Sequence, residues 1–153
     1  MGNNKKDDEC VNKWTHLFAA ILIYFVWLLF DKTIAPYFIF ILAGAYAPDL
    51  DALPPFNRWH RVLFHNILFL FLIIIFLYNF LVPLVALKLF TVGFLSHIIL
   101  DSMTLQGINI FQPFTNHPNI KGPFRTGGIF DKMLLGAFII GTIYLIWLMM
   151  NGV

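Results

Sequence analysis

The chain has 153 residues, 59% of them hydrophobic, 18% aromatic and only 12% charged. A soluble domain carries about a quarter charged residues, so this composition excludes an ordinary water-soluble fold. The formal net charge of +2, with no basic run, gives no footing for nucleic acid, and the single Cys10 excludes an internal disulfide or a cysteine zinc cluster.

Residues 1–13 form a polar tail containing Asp7, Asp8 and Glu9, unlike the start of a cleaved signal peptide, and Lys6 stands where a myristoylation signal has Ser or Thr. A helix needs about 20 apolar residues to cross a bilayer core. The first apolar block is Trp14–Phe30, flanked by Lys13 and by Asp31-Lys32. The second, Ile34–Ala47, has Pro36 near its first turn and stops at Pro48; it is short for a span and suits a buried or re-entrant helix. A polar loop, Pro48–Arg61, leads to the third block, Val62–Val82, which Pro83 separates from the fourth, Leu84–Met103. A second loop, Thr104–Lys132, rich in Gly, Pro and Asn, precedes the fifth block, Met133–Met150. Trp14, Trp27, Trp59, Tyr78 and Trp147 lie near block ends, as interfacial aromatics do. The predicted fold class is all-α: a polytopic membrane helix bundle of four to five membrane helices, one of them short or re-entrant. Residues 14–153 form one transmembrane domain with an interfacial loop over 104–132.

Five crossings put Lys5, Lys6, Lys13, Arg58, Arg61, Lys121, Arg125 and Lys132 on the side of the N-terminus, against Lys32 and Lys88 on the other. The positive-inside rule then predicts an inner-membrane protein whose N-terminal side faces the cytoplasm.

Ionisable residues in or beside membrane helices are costly and mark functional sites. His16 begins the first block, and Asp49 and Asp51 follow the second in Ala-Pro-Asp-Leu-Asp. His60 and His65 flank the start of the third block, and His97 and Asp101 end the fourth. The five-crossing topology brings all seven to the N-terminal side. His97 and Asp101, four apart, share a helix face and suit two ligands of one metal, or a ligand and its carboxylate support. Asp49 and Asp51 repel each other unless a cation or proton lies between them. Imidazole and carboxylate without thiolate fit zinc, and also manganese or iron. Seven donors exceed the need of one four-coordinate ion, so two or more ions are expected, as in phosphoester hydrolysis. By contrast, His117 reads as a solvated loop residue, Asp131 and Lys132 as a cap and flank of the fifth block, and Arg58 as an interfacial anchor.

The order of these motifs resembles the YdjM-type membrane-bound metal-dependent hydrolases over roughly residues 14–115. The matching positions are His16; Pro48, Asp49 and Asp51; His60, Arg61 and His65; Ser96, His97 and Asp101; then Thr104, Gly107 and Gln112-Pro113-Phe114. The chain departs from the family pattern at Val62, Phe64 and Asn66, where Gly, Thr and Ser commonly stand. The family is distantly similar to the zinc-dependent phospholipase C and single-strand nuclease superfamily, which implies phosphoester chemistry by analogy. The reading that results is a membrane-bound hydrolase with His16, Asp49, Asp51, His60, His65, His97 and Asp101 as metal ligands, zinc favoured. Asp51 would accept a proton from a metal-activated water. Arg61, with Arg125, would hold a phosphate in a bidentate fork. Headgroup-level placement implies a lipid or lipid-phosphate substrate. Two alternatives use the same cluster: a metal-ion transporter or sensor, and a metal-stapled scaffold that binds a partner through residues 104–132.

Overall fold

The structure, a computed structural model, describes residues 13–52, 64–112, 114–115, 120–125 and 127–152, with the side chains of 51 and 52 excepted. The tail before Lys13, Arg58, His60, Arg61, Val62, Pro113 and His117 lie outside the described residues.

Five α-helices carry the fold: α1 (Lys13–Phe30), α2 (Phe38–Tyr46), α3 (Ile67–Asn79), α4 (Leu84–Ser102) and α5 (Ile129–Met150). The fold is all-α, and the described residues contain isolated β-bridges but no strand. Among the described residues, four segments are long and apolar enough to cross a membrane: α1, the run Lys32–Leu50, α4 and α5.

The short element is the third apolar block rather than the second. The second is lengthened at both ends by 3-10 turns, Lys32–Tyr37 and Ala47–Ala52, so that α2 lies inside a 19-residue run. Asp31 starts this run: its Oδ1 accepts from Thr33 N at 2.9 Å and from Thr33 Oγ1 at 2.6 Å, and both bonds hold its carboxyl below the usual carboxylate range. Pro36 is tolerated within the first 3-10 turn.

The third block, predicted over Val62–Val82, forms a helix of only 13 residues, about 20 Å at 1.5 Å per residue against a hydrocarbon core of about 30 Å. Its start is set by Asn66, whose Oδ1 accepts from Phe69 N at 2.7 Å. Its end is a turn in which Leu81 takes a positive φ of 57° before Val82 and Pro83. A residue preceding proline is driven out of the helical region, so the apolar run continues while the helix does not.

At the centre, α4 is the most buried of the four long segments and α5 the least. It meets α2 through two glycines. A Cβ on Gly44 would stand 2.0 Å from Phe90 O, and one on Gly93 would stand 2.1 Å from Ile41 O. α1 packs on α2, α4 and α5, and α3 packs on α4. One apolar core joins Ala20, Tyr24, Ile34, Ile41, Ala45 and Leu89; the other joins Ala47, Leu70, Phe90, Phe94, Ile98 and Ile108. Phe71, Leu72 and Phe76 on α3 and Ile140 and Ile143 on α5 point outward, as a hydrocarbon-facing surface requires.

Successive helices alternate in direction, which gathers the starts of α1, α3 and α5 and the ends of α2 and α4 at one end of the bundle. The chain after α4 folds back there. Thr104 bridges to Phe124 and Ile108 to Ile120, while Ile67 N donates to Ile110 O at 3.2 Å.

Candidate metal centre

The buried ionisable groups of four elements meet at this end. His16 lies in the first turn of α1, Asp49 in the 3-10 turn after α2, His65 just before α3, and His97 and Asp101 in the last two turns of α4. Asp101 Oδ1 stands 3.4 Å from His16 Nε2. Asp101 Oδ2 stands 3.3 Å from His65 Nε2 and 3.5 Å from His97 Nε2. Asp49 Oδ1 completes the group, 3.8 Å from His65 Nε2 and 3.6 Å from His97 Nε2. His65 and His97 are fully buried, Asp101 is 2% exposed and His16 3%, whereas Asp49 is 16% exposed. Among the described donors, Asp49 is therefore the most exposed.

The tautomer of His97 is fixed. Its Nδ1 lies 2.7 Å from Ala45 O, and a carbonyl only accepts, so Nδ1 carries the proton. In the neutral ring Nε2 is then a bare lone pair, buried and without a hydrogen-bond partner, facing two carboxylate oxygens. Lone pair against carboxylate is repulsive unless a cation stands between them. Protonating the rings instead would crowd up to three buried imidazolium charges around Asp101, with His16 stacked on His97 at 3.8 Å between ring centroids.

Spacing gives the same answer. Separations of 3.3–3.8 Å exceed those of a good N–H···O bond. Four donors about 2.0–2.1 Å from a tetrahedral ion lie about 3.4 Å from one another. The donor atoms of His16, His97 and Asp101, and of Asp49, His65 and His97, fall within 4.8 Å of each other in each set. The buried His/Asp groups can hold a metal ion.

Local structure positions each donor. Gly93 allows α4 to approach α2, which brings His97 under the Ala45 carbonyl one turn later. Ser96 Oγ donates to Gly93 O at 2.7 Å in the same turn. Thr104 Oγ1 donates to Asp101 O at 2.7 Å and closes the end of α4. His65 is held by its neighbour, because Asn66 caps α3. The sequence departs from the family pattern here, yet Asn does the capping work for which a Ser hydroxyl would serve.

Five of the seven residues predicted as ligands are thus brought together: His16, Asp49, His65, His97 and Asp101. Asp51 lies in the same 3-10 turn as Asp49, its side chain outside the described residues, as are His60 and Arg61 entirely. Arg125 lines a small, mostly apolar pocket with Leu100, Met103, Phe130 and Asp131, between the end of α4 and the start of α5. One residue does more than its position suggested. Asp131 is buried, and its Oδ1 accepts from the fully buried Thr15 Oγ1 at 2.6 Å while its Oδ2 accepts from Gly127 N at 3.2 Å. It caps α5 as a flanking acid would, and it also ties α5 to α1 beside His16. The sequence signal was available: an acid in the first turn of a membrane helix needs a partner.

No curated protein and no solved structure matches this chain. A family model described as YdjM inner membrane protein matches residues 11–153, so the match takes in α5 as well as the helices that carry the motifs. The chain belongs to the YdjM inner membrane protein family.

Proposed function

We propose that this integral membrane protein is a metal-dependent hydrolase acting on a phosphoester of a lipid or lipid-linked substrate. The observation that carries the reading is the His97 lone pair: a buried imidazole whose tautomer is set by Ala45 O and whose free nitrogen faces carboxylates is built for a cation. A bound divalent ion, zinc favoured, supplies an activated water and polarises the oxygen of the scissile ester. His16, Asp49, His65, His97 and Asp101 supply the donors for bound metal, and all of them but Asp49 are buried. In this reading the carboxylate of Asp51 would take the proton of the attacking water and the guanidinium of Arg61 would bind the phosphate oxygens, roles drawn from their sequence positions alone. The placement of the cluster at helix ends supports a substrate whose reactive group lies at headgroup depth. The distant similarity of the family to the zinc-dependent phospholipase C and single-strand nuclease superfamily favours the phosphoester class by analogy.

Transport is the weaker reading. An ion path needs polar groups along its length, and the core beyond the cluster is Ala20, Tyr24, Ile34, Ile41 and Leu89. Scaffolding through residues 104–132 has no specific observation in its favour.

The test is turnover by detergent-purified protein reloaded with zinc, manganese or iron, against phospholipids, isoprenoid phosphates and model phosphoesters. His65→Ala and Asp101→Ala serve as controls. Release of product by the wild type and not by the variants is expected; no release from any substrate by reloaded wild type sinks the hydrolase reading. The cytoplasmic orientation of the N-terminus is tested separately through Cys10, the single cysteine. A membrane-impermeant maleimide is expected to label it in inverted vesicles and not in intact spheroplasts, and the opposite pattern reverses the topology.

A further inference from the structure

Metal ligands on imidazole are lone pairs lying in the ring plane, so the ion must lie in the plane of every ring that binds it. Two rings can share an ion only if their planes intersect at the site. His65 and His97 satisfy this: their planes are inclined at 64° with centroids 5.2 Å apart. His16 and His97 do not. Their rings are stacked, 3.8 Å between centroids and inclined at only 12°. Near-parallel planes separated by a stacking distance meet far outside the site, so no in-plane position is common to both rings.

The carboxylate of Asp101 divides in the same way. Its Oδ1 faces His16 Nε2 at 3.4 Å, and its Oδ2 faces His65 Nε2 and His97 Nε2 at 3.3 and 3.5 Å. His97 itself cannot bridge, because its Nδ1 is spent on Ala45 O. Asp101 is the residue with one oxygen for each side.

Resting on the metal-centre reading above, we infer that the cluster holds two separate cation positions joined by Asp101. One is built from Asp49 Oδ1, His65 Nε2 and His97 Nε2, whose donor atoms lie within 4.8 Å of one another, with Asp101 Oδ2 3.3 and 3.5 Å from the two imidazole nitrogens. The other is built on His16 Nε2 and Asp101 Oδ1, which stand 3.4 Å apart. Among the described residues the first position has more donors than the second, so it is expected to hold its ion more tightly.

The inference is read by stoichiometry, with no assay of turnover. Wild type, His16→Ala and His16→Phe are stripped, titrated with zinc by calorimetry, and loaded with cobalt(II) for absorption spectroscopy. The Phe variant keeps a ring stacked on His97 without a donor nitrogen, so a folding defect from the lost stack is separated from loss of a ligand. Wild type is expected to take up two equivalents and both variants one, with the intense visible absorption of four-coordinate cobalt retained in the variants. A wild type that binds one ion, whether or not the variants keep it, overturns the division while leaving the metal centre standing. A wild type that binds none overturns both. Loss of both ions from His16→Phe, with the helical content unchanged by circular dichroism, also overturns it, because the Asp49, His65 and His97 position would then depend on His16.

Discussion

Replacing Gly93 by alanine tests how helix packing builds the centre. The added Cβ would stand 2.1 Å from Ile41 O and 2.9 Å from Ala45 N, both backbone atoms of α2 that cannot swing aside. Restoring an ordinary contact of about 3.4 Å moves the two helices apart by about 1.3 Å locally. The His97 Nδ1 to Ala45 O bond, at 2.7 Å one turn along, then opens to about 4 Å and is lost. Overpacking costs about 1–3 kcal/mol, and an unpaired buried polar group about 1–3 kcal/mol more. Because one displacement causes both, their sum is an upper bound, and about 2–4 kcal/mol is expected. Freed from the carbonyl, the His97 ring loses its orientation, which lowers metal affinity by about 10–100-fold. The assay is thermal unfolding in detergent together with zinc titration, set beside Gly136→Ala, where nothing lies within 4 Å of the new Cβ. Equal melting temperature and equal zinc affinity in the two variants would refute the argument that the glycine contact positions His97.

A chelator such as EDTA is expected to lower the melting temperature of purified protein. An ion present at 100 times its Kd contributes about 2.7 kcal/mol to the folded state, so an unchanged transition on stripping counts against a resident metal. Metal retention should be full near pH 8 and fall as the pH drops through the imidazole range, because protons compete for the ligand nitrogens; retention that is flat from pH 8 to 5 removes imidazole from the ligand set. Thr15→Val breaks the buried bond to Asp131 and should destabilise by about 1–3 kcal/mol. Adding Asp131→Asn should then cost less than it does alone, and strict additivity of the two in a double-mutant cycle would show that the bond carries no coupling. Asn66→Ala removes the cap of α3 and should cost about 1 kcal/mol, read by chemical denaturation, with no loss taken as evidence that His65 is held by other contacts.

Apolar run length located α1 and α4 closely, because a span that must satisfy its own backbone in hydrocarbon has few options; α5 starts at Ile129, a turn before the predicted Met133, because Asp131 and Lys132 lie within the helix. Trp14–Phe30 against Lys13–Phe30, and Leu84–Met103 against Leu84–Ser102, differ by a residue. It misjudged the second and third blocks for opposite reasons. Around α2 the polar or proline-bearing flanks Lys32–Tyr37 and Ala47–Ala52 still coil, as 3-10 turns, so the element outruns its apolar letters. Around α3 apolar letters outrun the helix, since Asn66 and the Leu81 turn end it by hydrogen bonding and backbone conformation that hydrophobicity does not register. The gathering of His16, Asp49, His65, His97 and Asp101 was legible from alternation alone, because His16 and His65 lie at the starts of odd-numbered blocks and Asp49, His97 and Asp101 at the ends of even-numbered ones. Their division between two positions was not, since it depends on the relative tilt of imidazole rings from different helices. The Thr15–Asp131 bond was hidden for a related reason: pairing between residues 116 apart leaves no local spacing to read.

The donors enter the centre in chain order from α1, the turn after α2, the entry to α3, and lastly α4. A nascent chain that has emerged only as far as Asn79 already carries His16, Asp49 and His65 but lacks His97 and Asp101, and so has no complete donor set for either position. Under the proposed reading neither position has its donors until α4 has joined the helices that precede it in the chain. Occupancy is thereby tied to tertiary packing: without an ion, closing the bundle sets the Asp49 and Asp101 carboxylates against the bare Nε2 lone pair of His97 with nothing between them.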